Sequence, residues 1–305
     1  MMMHHGDGPT MIVPLIVVGL AAFGYLALAL RQHFGSRGWS WWRTALFLTG
    51  SGALALGLLP RFLPYSGGDF RKHMLQHLII GMVAPLGLIM AAPMTLVLRT
   101  LPTRGGRALS HLLQRRVLQV VANPGSALIL NLGGMAALYF TPLYSGMMVH
   151  PALHYAVHFH FLAAGCLYTW VIAGPDPMPH RPSVPARLVV LGVAVIAHSV
   201  LSQMLYAGLF LSIPVSAQEL QRGAELMYYG GDISEMLLAF ALVTTWHPVK
   251  RRATDSVQGL RTSRWIKVPY GEHGQIRMQG PAIAQKKGGP VRLGVIADQR
   301  SSKIP

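Results

Sequence analysis

RKHMLQHLIIGMVAPLGLIMAAPMTLVL, residues 71–98, joins a polar mouth to an apolar interior. From Gly81 to Leu98 it carries no charged residue. About 20 mostly apolar residues cross the hydrocarbon layer as a helix, so Met74–Leu98 reads as a membrane span. At its start His73 and His77 stand four residues apart, which puts both imidazoles on one helix face. Two ionisable groups at the mouth of a lipid-embedded helix are costly, and that is where function concentrates.

The rest of the chain has the same character. Of its 305 residues 52% are hydrophobic and only 12% charged, against about 25% charged in a soluble domain. Further spans are Met11–Leu30, Thr44–Pro60, Gly125–Val149, Ala152–Ala173, Leu188–Ile213 and Leu226–Trp246. The expected fold is an all-α, polytopic membrane helical bundle of about seven transmembrane helices. The first span has no Lys or Arg before it and no small-residue cleavage site after it, so it reads as a retained helix rather than a secretory signal. A single cysteine, Cys166, excludes a disulfide framework within the chain.

The net charge of +16 sets orientation rather than nucleic-acid binding. With the N-terminus outside, the inner side receives Arg31, Arg37, Arg43, Arg99, Arg104, Arg107, Arg115, Arg116, Arg181, Arg187 and Lys250–Arg252. The outer side receives Arg61, Arg71, Lys72 and Arg222. Lys and Arg accumulate on the cytoplasmic side, which predicts N-out, C-in in a multi-pass membrane protein. Three regions follow: a short outer N-terminus (1–10), a seven-helix membrane domain (11–249) and a basic, disordered cytoplasmic tail (250–305) suited to anionic lipid. No phosphate-binding glycine loop, nucleophile elbow or paired-cysteine zinc motif is present, and the chain reads as a non-enzyme.

The polar groups inside the spans recur in a pattern. In HPALHYAVHFHF (150–161) His154 and His158 share a face, His150 precedes the helix, and His160 points elsewhere. In MYYGGDISEML (227–237) Asp232 and Glu235 are spaced i, i+3 on one face. The sixth span adds His198 and Met204. If helices three, five and seven all run from outside to inside, the two histidine pairs and the acidic pair lie at one depth near the outer face. One reading is a structural polar network. The other is metal binding. Imidazole suits copper, zinc and iron, and thioether sulfur suits reduced copper. His73, His77, His154 and His158 are the candidate ligands. Asp232 and Glu235 would orient the rings, and Met204 would serve in exchange. MMMHH (1–5) is a second place where metal could be captured.

Three blocks resemble the CtaG-type (caa3-type) cytochrome c oxidase assembly factor family. They are HMLQHLIIGMVAPLGLIMAAP (73–93), the stretch from Asn123-Pro124 through the histidine-bearing helix to Gly174-Pro-Asp-Pro177, and AELMYYGGDISEMLLAFALVTTW (224–246). The resemblance implies a membrane assembly factor for haem–copper oxidase, with His73, His77, His154, His158 and Asp232 as the functional set. It also implies copper as transient cargo, and oxidase subunits and periplasmic copper chaperones as partners alongside the lipid bilayer. A haem-binding membrane cytochrome and a copper transporter are the alternatives, the former through axial histidines on facing helices.

Overall fold

The computed structural model describes residues 12–35, 38–66, 68–178, 181–211 and 213–246. The N-terminus (1–10) and the basic tail (250–305) read from the sequence lie outside the described residues. Among those described there are helices and no strands. In chain order they are α1 (Ile12–His33), α2 (Trp41–Leu58), α3 (Phe70–Leu78), a π-helical turn (Ile79–Val83), α4 (Ala84–Met90) and α5 (Pro93–Thr100). Then come α6 (Thr103–Leu113), α7 (Arg116–Val121), α8 (Pro124–Phe140), α9 (Leu143–Val149), α10 (Pro151–Ile172), α11 (Val184–Tyr206) and α12 (Ala217–Thr244).

The expected spans lie on helices among the described residues, although α11 ends at Tyr206, short of Ile213. Five are long and apolar enough to cross a membrane: α1, the 31-residue stretch Phe70–Thr100, α10, α11 and α12. The pair α8–α9 makes a sixth if it counts as one span, although its halves meet at 77°. That bend falls at Thr141-Pro142, where proline supplies no backbone N–H to continue the helix. With 18 residues including Arg43, α2 is shorter than these and is not among them. The described residues are thus all-helical, with the long apolar helices of a multi-pass membrane protein.

The third span is interrupted twice, and its prolines explain both places. Pro85 cannot donate to the carbonyl of Gly81, and the preceding residues widen into the π-turn. Farther along, Ala92 adopts a left-handed conformation (φ 56°, ψ 53°) before Pro93. The backbone groups freed there find partners elsewhere. Tyr25 on α1 donates to the carbonyl of Ala91 (2.8 Å). Asp176, from the Gly-Pro-Asp-Pro turn, accepts from the amides of Met94 (3.0 Å) and Thr95 (2.7 Å) and from the Thr95 hydroxyl (2.6 Å). The acidic residue of that turn therefore caps α5, a charge-assisted use of a helix N-terminus.

Small residues let the spans approach closely, as membrane helices require when lipid removes the hydrophobic drive between them. Gly50 of α2 and Gly87 of α4 meet backbone to backbone. On the other side, Gly165 of α10 faces the Gly81 carbonyl and the Pro85 ring. In α12, Gly223 faces Phe70 and Met74, and Gly230 faces Leu78. Contacts advance in the same direction along each pair, so α3, α10 and α12 run parallel with the third span between the other two. Gln76 donates to the carbonyl of Gly57 at the end of α2 (2.8 Å). This bond ties α3 to the end of α2.

Ser216 caps α12 by accepting from the amide of Glu219 (3.3 Å). The helix therefore has 28 residues and begins nine residues before Leu226. Asp232 and Glu235 lie near its middle, which corrects the expectation that they sit at a helix start beside the histidines. Because Gly230 packs at the level of Leu78, Glu235 lies between one and two turns deeper than His77.

Candidate functional site

His73 and His77 project from α3 toward α10, where His154 and His158 project back. The rings of His154 and His158 are 4.3 Å apart between centroids. His73 is within electrostatic reach of His77 and His154, and His158 is within reach of His73 and His154. His77 reaches both His158 and His198. The four histidines named from the sequence thus belong to one cluster. His73 and His154 are half-buried at its mouth, while His77 and His158 are each only 6% exposed.

Aromatic side chains wall the cluster. Tyr139 of α8 shares a hydrogen bond with His73 Nε2 (3.2 Å) and donates to the thioether of Met74 (3.4 Å). Tyr144 of α9 stands edge-on to His73 at 5.1 Å, and Phe161 stands edge-on to His77 at 4.2 Å. Tyr139 and Tyr144 were not singled out from the sequence. Their only signal there is the tyrosine-rich end of the fourth apolar segment, which the bend at Pro142 folds over the histidines.

Two ring nitrogens, His77 Nδ1 and His158 Nε2, are buried without a hydrogen-bond partner. Most buried polar atoms are paired, and these two are open to a further partner. A neutral imidazole is the form that ligates a metal, and a set of such rings with a thioether nearby fits a soft or borderline ion. As the side chains stand, no three His, Cys, Asp or Glu residues among those described converge on one point that could hold a metal ion.

The remaining candidates separate from this cluster. Glu235 approaches His198 (Oε1 to Nδ1, 3.7 Å), and Asp232 is within electrostatic reach of both. The acidic pair therefore attends His198 at the deeper level. Gly231 makes room for this, since a Cβ there would collide with the His198 ring. His150 is exposed ahead of α10 and Met204 is half-buried on α11. His160 points away from His158 and bonds the Leu130 carbonyl (3.1 Å), a helix-packing role.

The family model for cytochrome c oxidase caa3 assembly factors (Caa3_CtaG) matches residues 21–248. Two mycobacterial proteins, the uncharacterized proteins Mb0105 of Mycobacterium bovis and MT0111 of Mycobacterium tuberculosis, are each 30% identical over 254 residues. Those alignments take in 76% of this chain and 38% of either relative. The uncharacterized protein ML1998 of Mycobacterium leprae is 28% identical over 180 residues, 57% of this chain and 27% of its own. The chain spans less than two-fifths of the length of the curated relatives it matches. No solved structure matches it.

Proposed function

The chain belongs to the cytochrome c oxidase caa3 assembly factor family, and on that premise we propose that it holds copper transiently in the histidine cluster and passes it to a haem–copper oxidase. Copper is cargo here, and the chain itself performs no covalent chemistry. One observation carries the reading. Four imidazoles from two parallel, directly packed spans gather at the same ends of those spans, and two of them keep buried nitrogens without partners. His73, His77, His154 and His158 are the ligands, with Met74 as a neighbouring soft donor. Tyr139 holds the His73 ring, and the aromatic wall keeps water from the ion. Oxidase subunits and periplasmic copper chaperones are the partners on either side of the transfer.

In the same reading the bundle has seven spans, counting α2 and the bent α8–α9, and lies N-out, C-in in the inner (plasma) membrane. The histidine cluster then opens outward. The arginines of α6 and α7, and Arg187, which donates to the Ile172 carbonyl at the C-terminal end of α10 (2.7 Å), face the cytoplasm, as the positive-inside bias requires. Reporter fusions after Arg116 and Arg252 should give a cytoplasmic signal, and one near His150 an outside signal. An outside signal at Arg116 would turn the cluster to the wrong face.

Metal analysis tests the site itself. Purified protein is expected to retain copper that His73→Gln/His77→Gln loses, at equal protein abundance. Equal copper in the two proteins would reject the site. A haem band in the reduced-minus-oxidised visible spectrum would replace copper delivery with the cytochrome reading.

A further inference from the structure

On the inner side of His77, a small cavity is lined by His77, Met82, Asn131, Met135, His198 and Glu235. Its volume is about 10 Å³, on the order of the space taken by a single water molecule or a bare ion. The polar atoms around it are mostly unpaired: His77 Nδ1, both ring nitrogens of His198, and Glu235 Oε2. His198 is 2% exposed and Glu235 5%. Their closest approach of 3.7 Å is too long for a hydrogen bond. A buried polar atom without a partner is costly, and several of them face one cavity here.

The donor set narrows the choice. Glu235 and Asn131 are the lining side chains that offer oxygen donors, fewer than a hard divalent ion takes. Met82, from the π-helical turn, and Met135, from α8, both line the cavity. Thioether sulfur favours the reduced, monovalent state of copper, whereas carboxylate, carbonyl and water suit magnesium, calcium and manganese. Neutral imidazole accompanies sulfur well in such sites, and a buried carboxylate nearby offsets the charge of the ion.

We propose that this cavity binds one soft monovalent metal ion, cuprous copper in the cell, through His198, Met82 and Met135, with Glu235 as counter-charge. His77 stands at its outer edge, between this station and the four-histidine cluster. The inference rests on the proposed function for the identity of the metal, while its donors His198, Met82 and Met135 lie outside the outer set.

Silver(I) serves as a redox-inert probe of the full chain purified in detergent, with bound silver counted after desalting. All proteins compared retain residues 1–5, so capture by the N-terminal Met and His residues cancels in the differences. In a His154→Gln/His158→Gln background, which disables the outer cluster, adding Met82→Leu/Met135→Leu is expected to remove one silver equivalent. Leucine nearly conserves methionine volume, and an unchanged melting curve checks the fold. Adding His198→Gln to the same background should remove the same equivalent through a different residue, so the result does not hang on one variant. Unchanged silver in the methionine variant or in the His198 variant, whichever keeps its fold, overturns the deep site. Equal silver in wild type and His154→Gln/His158→Gln instead rejects the outer cluster, with the deep site still decided by the other two variants.

Discussion

Gly165→Ala is expected to deplete folded protein from membranes, whereas Gly19→Ala leaves it unchanged or slightly raised. Both changes add one methyl group to a helix, and both gain about 1 kcal/mol of intrinsic helix propensity. They differ in what the methyl meets. Around Gly19 there is nothing within 4 Å. At Gly165 the new carbon would overlap the carbonyl oxygen of Gly81 and come within 2.9 Å of the Gly81 carbonyl carbon and of Pro85 Cγ. Backbone and a proline ring are the parts of a protein least able to give way. Overpacking of a tight interface costs about 1–3 kcal/mol and sometimes more, and here the upper end applies because α10 as a whole must retreat. At about 1.4 kcal/mol per tenfold, a cost near 3 kcal/mol changes the folded-to-unfolded ratio by about a hundredfold. Thermal unfolding in detergent and abundance in membranes read this directly. If Gly165→Ala matched Gly19→Ala in both, α10 would not approach the third span as described, and His158 would lose its place beside His73 and His77.

This contact also marks where the sequence stops being informative. The i, i+4 pairs His73/His77 and His154/His158 are legible because helical periodicity alone puts each pair on one face. That the two faces meet depends on Gly81, Pro85 and Gly165, and no local pattern links residues so far apart in the chain. The depth of the acidic pair was misjudged for a different reason. Hydropathy starts the last span at Leu226, because Gln218, Glu219, Gln221, Arg222 and Glu225 make the preceding turns polar. The helix nevertheless begins at Ser216, and Ser216-x-x-Glu219 is a capping pattern that could have moved the start. Asp176 shows a third kind of gap. Its turn was recognised as a motif, but the role of its carboxylate is to cap α5, which exists only because Ala92-Pro93 breaks the third span. Tyr139 and Tyr144 enter the site through the 77° bend between α8 and α9, a break that composition hides because both sides of it are apolar.

The second large effect is expected at the histidines. His77→Gln and His158→Gln should each lower the copper retained by the purified chain and the copper-dependent oxidase activity of the membranes that carry it, with the protein still inserted. Glutamine keeps a hydrogen-bonding amide of similar reach, so an interfacial cap would survive the change. A ligand would not, since a soft or borderline ion prefers imidazole nitrogen to amide oxygen. Residues that merely orient metal ligands are typically worth about 10–100-fold in affinity, and removing a ligand should cost at least that much. His77 and His158 come from different helices, yet both are buried and lie within electrostatic reach of each other. If they serve one ion, the first substitution already dismantles the site and the second has little left to remove. Groups that act as a unit give such non-additive losses, while independent sites add. The double variant is therefore expected to be little worse than the worse single variant, both in copper per protein and in oxidase activity. Two losses that simply add would assign the histidines to separate sites. Unchanged oxidase copper in His77→Gln would leave the cluster as a polar seam between α3 and α10, with Tyr139 and Phe161 as its packing partners and no cargo to hold.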